Sequence, residues 1–228
     1  MIHKNNLVYK ENFSLRDHQK ITLSILNNYL RGSQNLNILD VGCANGNLIF
    51  NLKKKLKKNN CFHAVEIDKN IIKNNNSIFD KIYFKEYLNF LKTNKNKYDL
   101  IILSGIICFF KNPFEIILNT LKLLNKNGKI VIFDRFTQFA DVEIVHSFLY
   151  SKKKYSTYNS TSIFKIKLLK KRKNIQNVVI KKFKLKKNIK KNNKSLWKSF
   201  TKGKGKNKII LNHIDILYNY YHVVINKC

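Results

Sequence analysis

Five short apolar runs, each followed by a turn or a stretch of helical periodicity, organise the first 133 residues of this chain. Asn37 to Val41 opens the series, ends at a glycine-containing turn and gives way to Leu48, Ile49, Leu52 and Leu56 at helical spacing. Phe62 to Ile67 reads as a second strand, with Asp68 placed to cap a short helix through Ile71 and Ile72. Lys81 to Lys85 is a third strand. Tyr98 to Ser104 is a fourth, apolar almost throughout, as a parallel strand buried on both faces must be. Asn112 caps the next helix, Pro113 takes its first position and Glu115 completes a capping-box-like arrangement; the stripe Phe114, Ile117, Leu118, Leu121, Leu124 then stops at Asn127-Gly128. Lys129 to Phe133 supplies the fifth strand. Such alternation demands a parallel sheet with crossover helices on both faces.

The flanks are less regular. Asn12 to Arg31 places Leu15, Ile21, Leu23, Ile25, Leu26 and Leu30 in a helical pattern closed by Gly32, so residues 1–36 form an N-terminal helical segment ahead of a main domain, 37–228. Beyond Phe133 come a variable region, 134–159, a helix over Ser160 to Lys173 with Ile163, Ile166 and Leu169 as its apolar positions, and strands at Asn177 to Leu185 and Tyr220 to Asn226. Between those strands lies a hairpin-like insertion, 186–219, in which Trp197-Lys-Ser-Phe200 and Gly203-Lys-Gly205 suit two arms and an exposed tip. The variable region and this insertion are the expected acceptor-side elements.

Charge is the largest compositional anomaly. The formal net charge of +32 predicts attraction to phosphate-rich partners. The cations are nearly all Lys, however, with only Arg16, Arg31, Arg135 and Arg172 able to make planar bidentate contacts. Lys, Asn and Ile are all heavily used, so a composition bias spread over solvated faces is the simpler account. Cys43, Cys61, Cys108 and Cys228 show neither C-x-x-C pairing nor His at zinc-ligand spacing, so no metal and no disulfide framework is expected. No signal peptide precedes an apolar block, and the longest apolar run, Leu100 to Phe110, is about half a membrane span, which reads as a soluble, cytoplasmic protein.

The loop after the first strand, Asp40-Val-Gly-Cys-Ala-Asn-Gly46, carries the chemistry. Gly42 and Gly46 permit a sharp turn and close approach to a ligand, and the helix that follows offers free N–H groups to an anion. A dinucleotide fingerprint would need a third glycine where Asn47 stands, and a P-loop would need Gly-Lys-Ser/Thr. Ile38-Leu-Asp-Val-Gly-Cys-Ala-Asn-Gly46 resembles motif I of the class I S-adenosylmethionine-dependent methyltransferases, with Ala44 at the commoner middle glycine. Tyr98-Asp-Leu-Ile-Ile-Leu-Ser104 resembles motif IV, and Leu124 to Val131 the turn into strand five. The resemblance implies a three-layer α/β/α sandwich around a seven-stranded, mostly parallel sheet with an antiparallel last strand. It implies S-adenosyl-L-methionine as cofactor, contacted by Asp40, Gly42, Cys43, Ala44 and Gly46 in the loop.

Ala64-Val-Glu-Ile-Asp68, one β-α unit later, ends in an acidic residue able to accept bonds from ribose hydroxyls, which nominates Glu66 with its neighbour Ile67. Glu86 after the third strand and Ser104 with Gly105 after the fourth complete the candidate set. Asp99, at the start of its strand, reads as structural. Asp134, His146 and His222 are the candidate bases, with Tyr150 and His213 as further possibilities. Past residue 135 or so, Ser199-Phe-Thr201 and Tyr221-His222 resemble methyltransferases of surface-polysaccharide biosynthesis, which implies a sugar or sugar-nucleotide acceptor. A nucleic-acid methyltransferase, suggested by charge and by Phe164, Phe183, Trp197 and Phe200 among lysines, and a non-catalytic binding protein of the same fold stand as alternatives.

Overall fold

A computed structural model describes residues 14–56, 59–147, 155–185, 188–191, 199–203, 205–212, 217 and 219–228. Helix α1 (Asp17–Leu30) leads into β1 (Asn37–Val41), α2 (Asn47–Lys53), β2 (Cys61–Glu66), α3 (Lys69–Ile72), β3 (Lys81–Phe84), α4 (Tyr87–Thr93), β4 (Tyr98–Ser104), α5 (Pro113–Leu121) and β5 (Leu124–Thr137). Then come β6 (Val142–Ser147), β7 (Tyr155–Ser162), α6 (Ile163–Leu168), β8 (Ile175–Lys182), β9 (Phe200–Lys202), β10 (Ile209–Leu211) and β11 (Tyr220–Lys227).

The main sheet runs β3-β2-β1-β4-β5-β11-β8. Strands β1 to β5 pair in parallel, whereas β11 is antiparallel to both neighbours, Val223 facing Ile132 on one side and Ile180 on the other. The seven-stranded sandwich expected from the sequence is therefore present. Alternation along each strand divides the core. Leu39, Val41, Ile101 and Ile132 face α4, α5 and α6 with Phe90, Ile117 and Ile166. Ile38, Leu100, Ile102 and Val131 face α1 and α2 with Leu26, Ile49 and Leu52. Asp99 fastens the sheet's amino edge, its carboxylate accepting from Asn37 N (2.8 Å) and Asn125 Nδ2 (2.7 Å).

The region after β5 is more ordered than its sequence suggests. Strand β5 continues to Thr137, past the expected stop at Phe133, and variable region 134–159 contributes the antiparallel pair β6–β7, with β7 returning to β5 through Phe136 opposite Thr161. The helix read over Ser160 to Lys173 is correspondingly shorter. Ser160 to Ser162 end β7, and α6 with a 3-10 turn at Leu169–Lys171 covers the rest, because Ser162 Oγ caps by accepting from Phe164 N (3.1 Å). The strand read at Asn177 to Leu185 is Ile175–Lys182. In insertion 186–219, β9 and β10 pair antiparallel around Gly203, at φ +87°. Trp197 and the possible bases Tyr150 and His213 lie outside the described residues. Among the described residues no helix is long and apolar enough to cross a membrane.

Candidate active site at the carboxyl edge of the sheet

The turn from β1 to α2 is built on left-handed residues: Gly42 at φ +67°, Ala44 at +50° and Gly46 at +78°. Gly42 N donates to Val65 O (2.8 Å), Gly46 N to Cys43 O (3.0 Å) and Phe50 N to Gly46 O (2.9 Å). A Cβ on Gly42 would collide with the Ile106 side chain, and one on Gly46 would sit 3.0 Å from Ile78 Cδ1 and 3.2 Å from the Phe79 ring, so side chains there would crowd packed neighbours and strain a left-handed backbone.

Glu66 closes this turn from the end of β2. It is 7% exposed; Oε2 accepts from Ala44 N (2.9 Å), and Oε1 accepts from Ile67 N (2.9 Å) and Asp68 N (3.1 Å). A carboxylate offers about four acceptor positions, so one remains for a ligand. Asp40 lies nearby on β1, 3% exposed. Burial first, and the Glu66 charge second, push its carboxyl up to about 8. Burial, then the same two carboxylates, raises the Cys43 thiol well above the ordinary thiol range, which keeps it protonated and unreactive. A cation delivered into this acidic recess would restore the ionised form of Asp40.

The remaining cofactor candidates border the same edge. Ile67 and Phe84 expose apolar surface at the ends of β2 and β3. Asp68 Oδ1 accepts from Asn70 N (2.9 Å), the cap its sequence position suggests. Glu86 is exposed, just before α4. Ser104 ends β4 half-buried, and Gly105 N donates to Phe133 O (2.7 Å) across to β5.

The candidate bases fall in different settings. Asp134 is buried at the end of β5, its Oδ2 accepting from Cys108 N (3.3 Å) and its Oδ1 from Arg135 N (2.8 Å); burial raises its carboxyl above the ordinary range. It thereby holds the 3-10 turn Ile107–Phe109 over the sheet edge. His222 is buried between β11 and α1, Nε2 3.1 Å from Thr22 Oγ1, and burial lowers it to about 4. His146 lies on β6 opposite Ser156.

Sequence reasoning missed His18, which stacks on Phe133 at 4.6 Å between ring centroids and is lowered to about 4, by burial first and then by Arg16 and His222. Tyr220 and Phe183 also flank Phe133, at 5.4 and 5.3 Å, and the Arg135 guanidinium lies 4.3 Å over the Tyr158 ring. These residues meet only through tertiary packing, and no spacing in the sequence announces them.

Comparison with known proteins is consistent in direction. Residues 32–195 match the family model described as a methyltransferase domain. No curated protein matches the chain. Among solved structures, the plantazolicin methyltransferase BpumL in complex with SAH is similar at 14% identity and TM-score 0.57, over 92% of this chain and 84% of that one. A SAM-dependent methyltransferase from Archaeoglobus fulgidus is similar at 14% identity and TM-score 0.54, over 92% and 94%. The precorrin-6y C5,15-methyltransferase from Geobacter metallireducens GS-15 is similar at 15% identity and TM-score 0.52, over 100% and 98%. Likeness at these identities speaks to the fold.

Proposed function

Because the chain belongs to the methyltransferase-domain family, we propose that it is an S-adenosylmethionine-dependent methyltransferase whose acceptor is a small molecule, a sugar or sugar nucleotide. The observation that carries the cofactor half is the buried carboxylate pair, Asp40 and Glu66, beside a turn held left-handed at Gly42, Ala44 and Gly46. When bound, the cofactor supplies an electrophilic methyl on a sulfonium sulfur.

The residues present fit that group. Asp40 would face its ammonium, the glycine turn would accept its methionine portion, and Glu66 would spend its remaining acceptor position on a ribose hydroxyl. Ile67 would lie against the adenine, with Glu86 near its rim and Ser104 beside the sulfur. Domain limits follow the same reading: 1–36 leads in, 37–228 is catalytic, and 134–159 with 186–219 shapes acceptor choice.

Methyl transfer is an in-line displacement, so the chain's main task is to hold the acceptor atom on the methyl axis. Phe133, enclosed by His18, Tyr220 and Phe183, and Arg135 over Tyr158 lie at the same end of β5, where the acceptor would bring a ring bearing an anionic group. His18 and His222, both lowered to about 4, are weak bases at neutral pH, and Asp134 already serves two backbone donors. Alignment is therefore the larger contribution.

Calorimetric titration of S-adenosylmethionine and S-adenosylhomocysteine into nucleic-acid-free protein tests the cofactor half. Micromolar binding lost in Asp40→Asn supports it, and absent binding returns the chain to a non-catalytic scaffold. Methyl transfer to nucleotide sugars, with RNA and DNA as parallel acceptors, then tests the acceptor half.

A further inference from the structure

The cationic charge is not spread evenly. Residues 1–144 hold 22 basic and 12 acidic side chains, whereas residues 145–228 hold 23 basic against the single acid Asp215. A composition bias toward Lys would leave acidic residues in place along the whole chain. The excess is concentrated in the later part of the chain.

Within that part of the chain, α6 and its 3-10 turn turn Ile163, Ile166 and Leu169 into the core. The outward stripe at three- and four-residue spacing is Phe164, Lys167, Leu168, Lys171, with Lys165 and Lys170 on its flanks, all exposed. An ordinary solvated stripe would be polar throughout; here Phe164 is 59% exposed and Leu168 42%. The loop beside it adds Phe139, 87% exposed, next to the exposed acids Asp141 and Glu143. Asp141 fixes that loop to α6: it accepts from Ser162 N (2.8 Å) and Thr161 Oγ1 (2.9 Å) and pairs with Lys165 Nζ (2.7 Å). Phe164 and Leu168 thus stand among lysines, and the Asp141 contacts hold the loop of Phe139 against the same helix.

We propose that this surface docks the enzyme on an anionic phospholipid bilayer, with Phe139, Phe164 and Leu168 entering the headgroup boundary and Lys167, Lys170 and Lys171 lying against lipid phosphates. The inference does not depend on the acceptor. Two features select lipid over nucleic acid as the polyanion. Leu168 and the neighbouring exposed Val142 are aliphatic and offer no ring for base stacking, and Arg172 is the only arginine among the 23 cations.

The test is co-sedimentation of the full chain with neutral phosphatidylcholine vesicles and with vesicles containing about one third phosphatidylglycerol, with S-adenosylhomocysteine binding as the folding control. The chain is expected to pellet with the anionic vesicles and stay in solution with the neutral ones. At roughly 1 kcal/mol per lysine near such a surface, Lys167→Gln with Lys171→Gln should weaken partitioning about 30-fold. Phe139→Ser with Phe164→Ser should weaken it at least tenfold while leaving the control unchanged. Equal recovery with both vesicle types overturns the proposal. So does full binding by the phenylalanine variant, or an RNA oligonucleotide that binds while anionic vesicles do not.

Discussion

Replacing Asp40 by Asn should make the protein more stable, by an amount that depends on pH. The buried carboxyl is raised from 3.8 to about 8, by burial first and by Glu66 second. Below about pH 4 both folded and unfolded carboxyls are protonated and the group is neutral to stability. Above it the unfolded carboxyl ionises while the folded one keeps its proton, so stability falls as pH rises and levels off only beyond about 8. At about 1.4 kcal/mol per unit, the parent should lose roughly 4 kcal/mol relative to Asp40→Asn between about pH 5 and about pH 8. For a chain of this size that is a Tm difference growing by roughly 10 °C. Taking the difference between the two proteins at each pH cancels the repulsion of the other charges, which both share. Thermal melts in a series of buffers, without cofactor, would measure it. A difference that stays constant with pH would mean that Asp40 is ionised throughout and that the acidic recess does not exist as described. S-adenosylhomocysteine should then stabilise the parent and leave the variant nearly unmoved.

Three further expectations use the same structure. Ala44→Gly should raise stability by up to about 1 kcal/mol by relieving a left-handed alanine, where the same exchange in a helix would cost about as much; chemical denaturation decides the sign. Asp134→Ala should cost about 1–3 kcal/mol by stranding the N–H groups of Cys108 and Arg135, and should lower methyl-transfer rate while leaving cofactor affinity intact in calorimetry. His222 is held neutral, so the parent should lose stability as pH falls from 6.5 through about 4, and His222→Gln should flatten that limb of the stability profile.

The sequence made the first five strands and the cradle turn legible because both rest on local physics. Period-two and period-3.6 patterns, Asn112 as a cap and glycines at sharp turns all act within a few residues. The resemblance that named the cofactor residues sits in that stretch. Past Phe133 the signals fade because order there comes from distant partners. Strand β7 looks polar, Tyr-Ser-Thr-Tyr-Asn-Ser-Thr-Ser, and is kept extended by β5, β6 and Asp141 rather than by its own alternation. His18 and His222 stand far apart in sequence and come together through the docking of α1 on β11. Their neutral state follows from burial, which local pattern does not encode. The role of Glu66 was half legible: an acid at the end of β2 could be foreseen, but its three backbone donors could not.

The position of β11 sets a timetable for synthesis. Strands β1 to β5 and the cradle turn emerge first and pair with one another, whereas β8 reaches the main sheet only through β11. Until Tyr220–Lys227 has left the ribosome, β5 presents a bare, apolar flank and β8 has no neighbour in that sheet. The nascent chain would hold its cradle turn before its aromatic cluster is complete, since Tyr220 and Phe183 arrive beside Phe133 with the same closing strand. Losing those eight residues would therefore release an adhesive half-sheet rather than a trimmed enzyme.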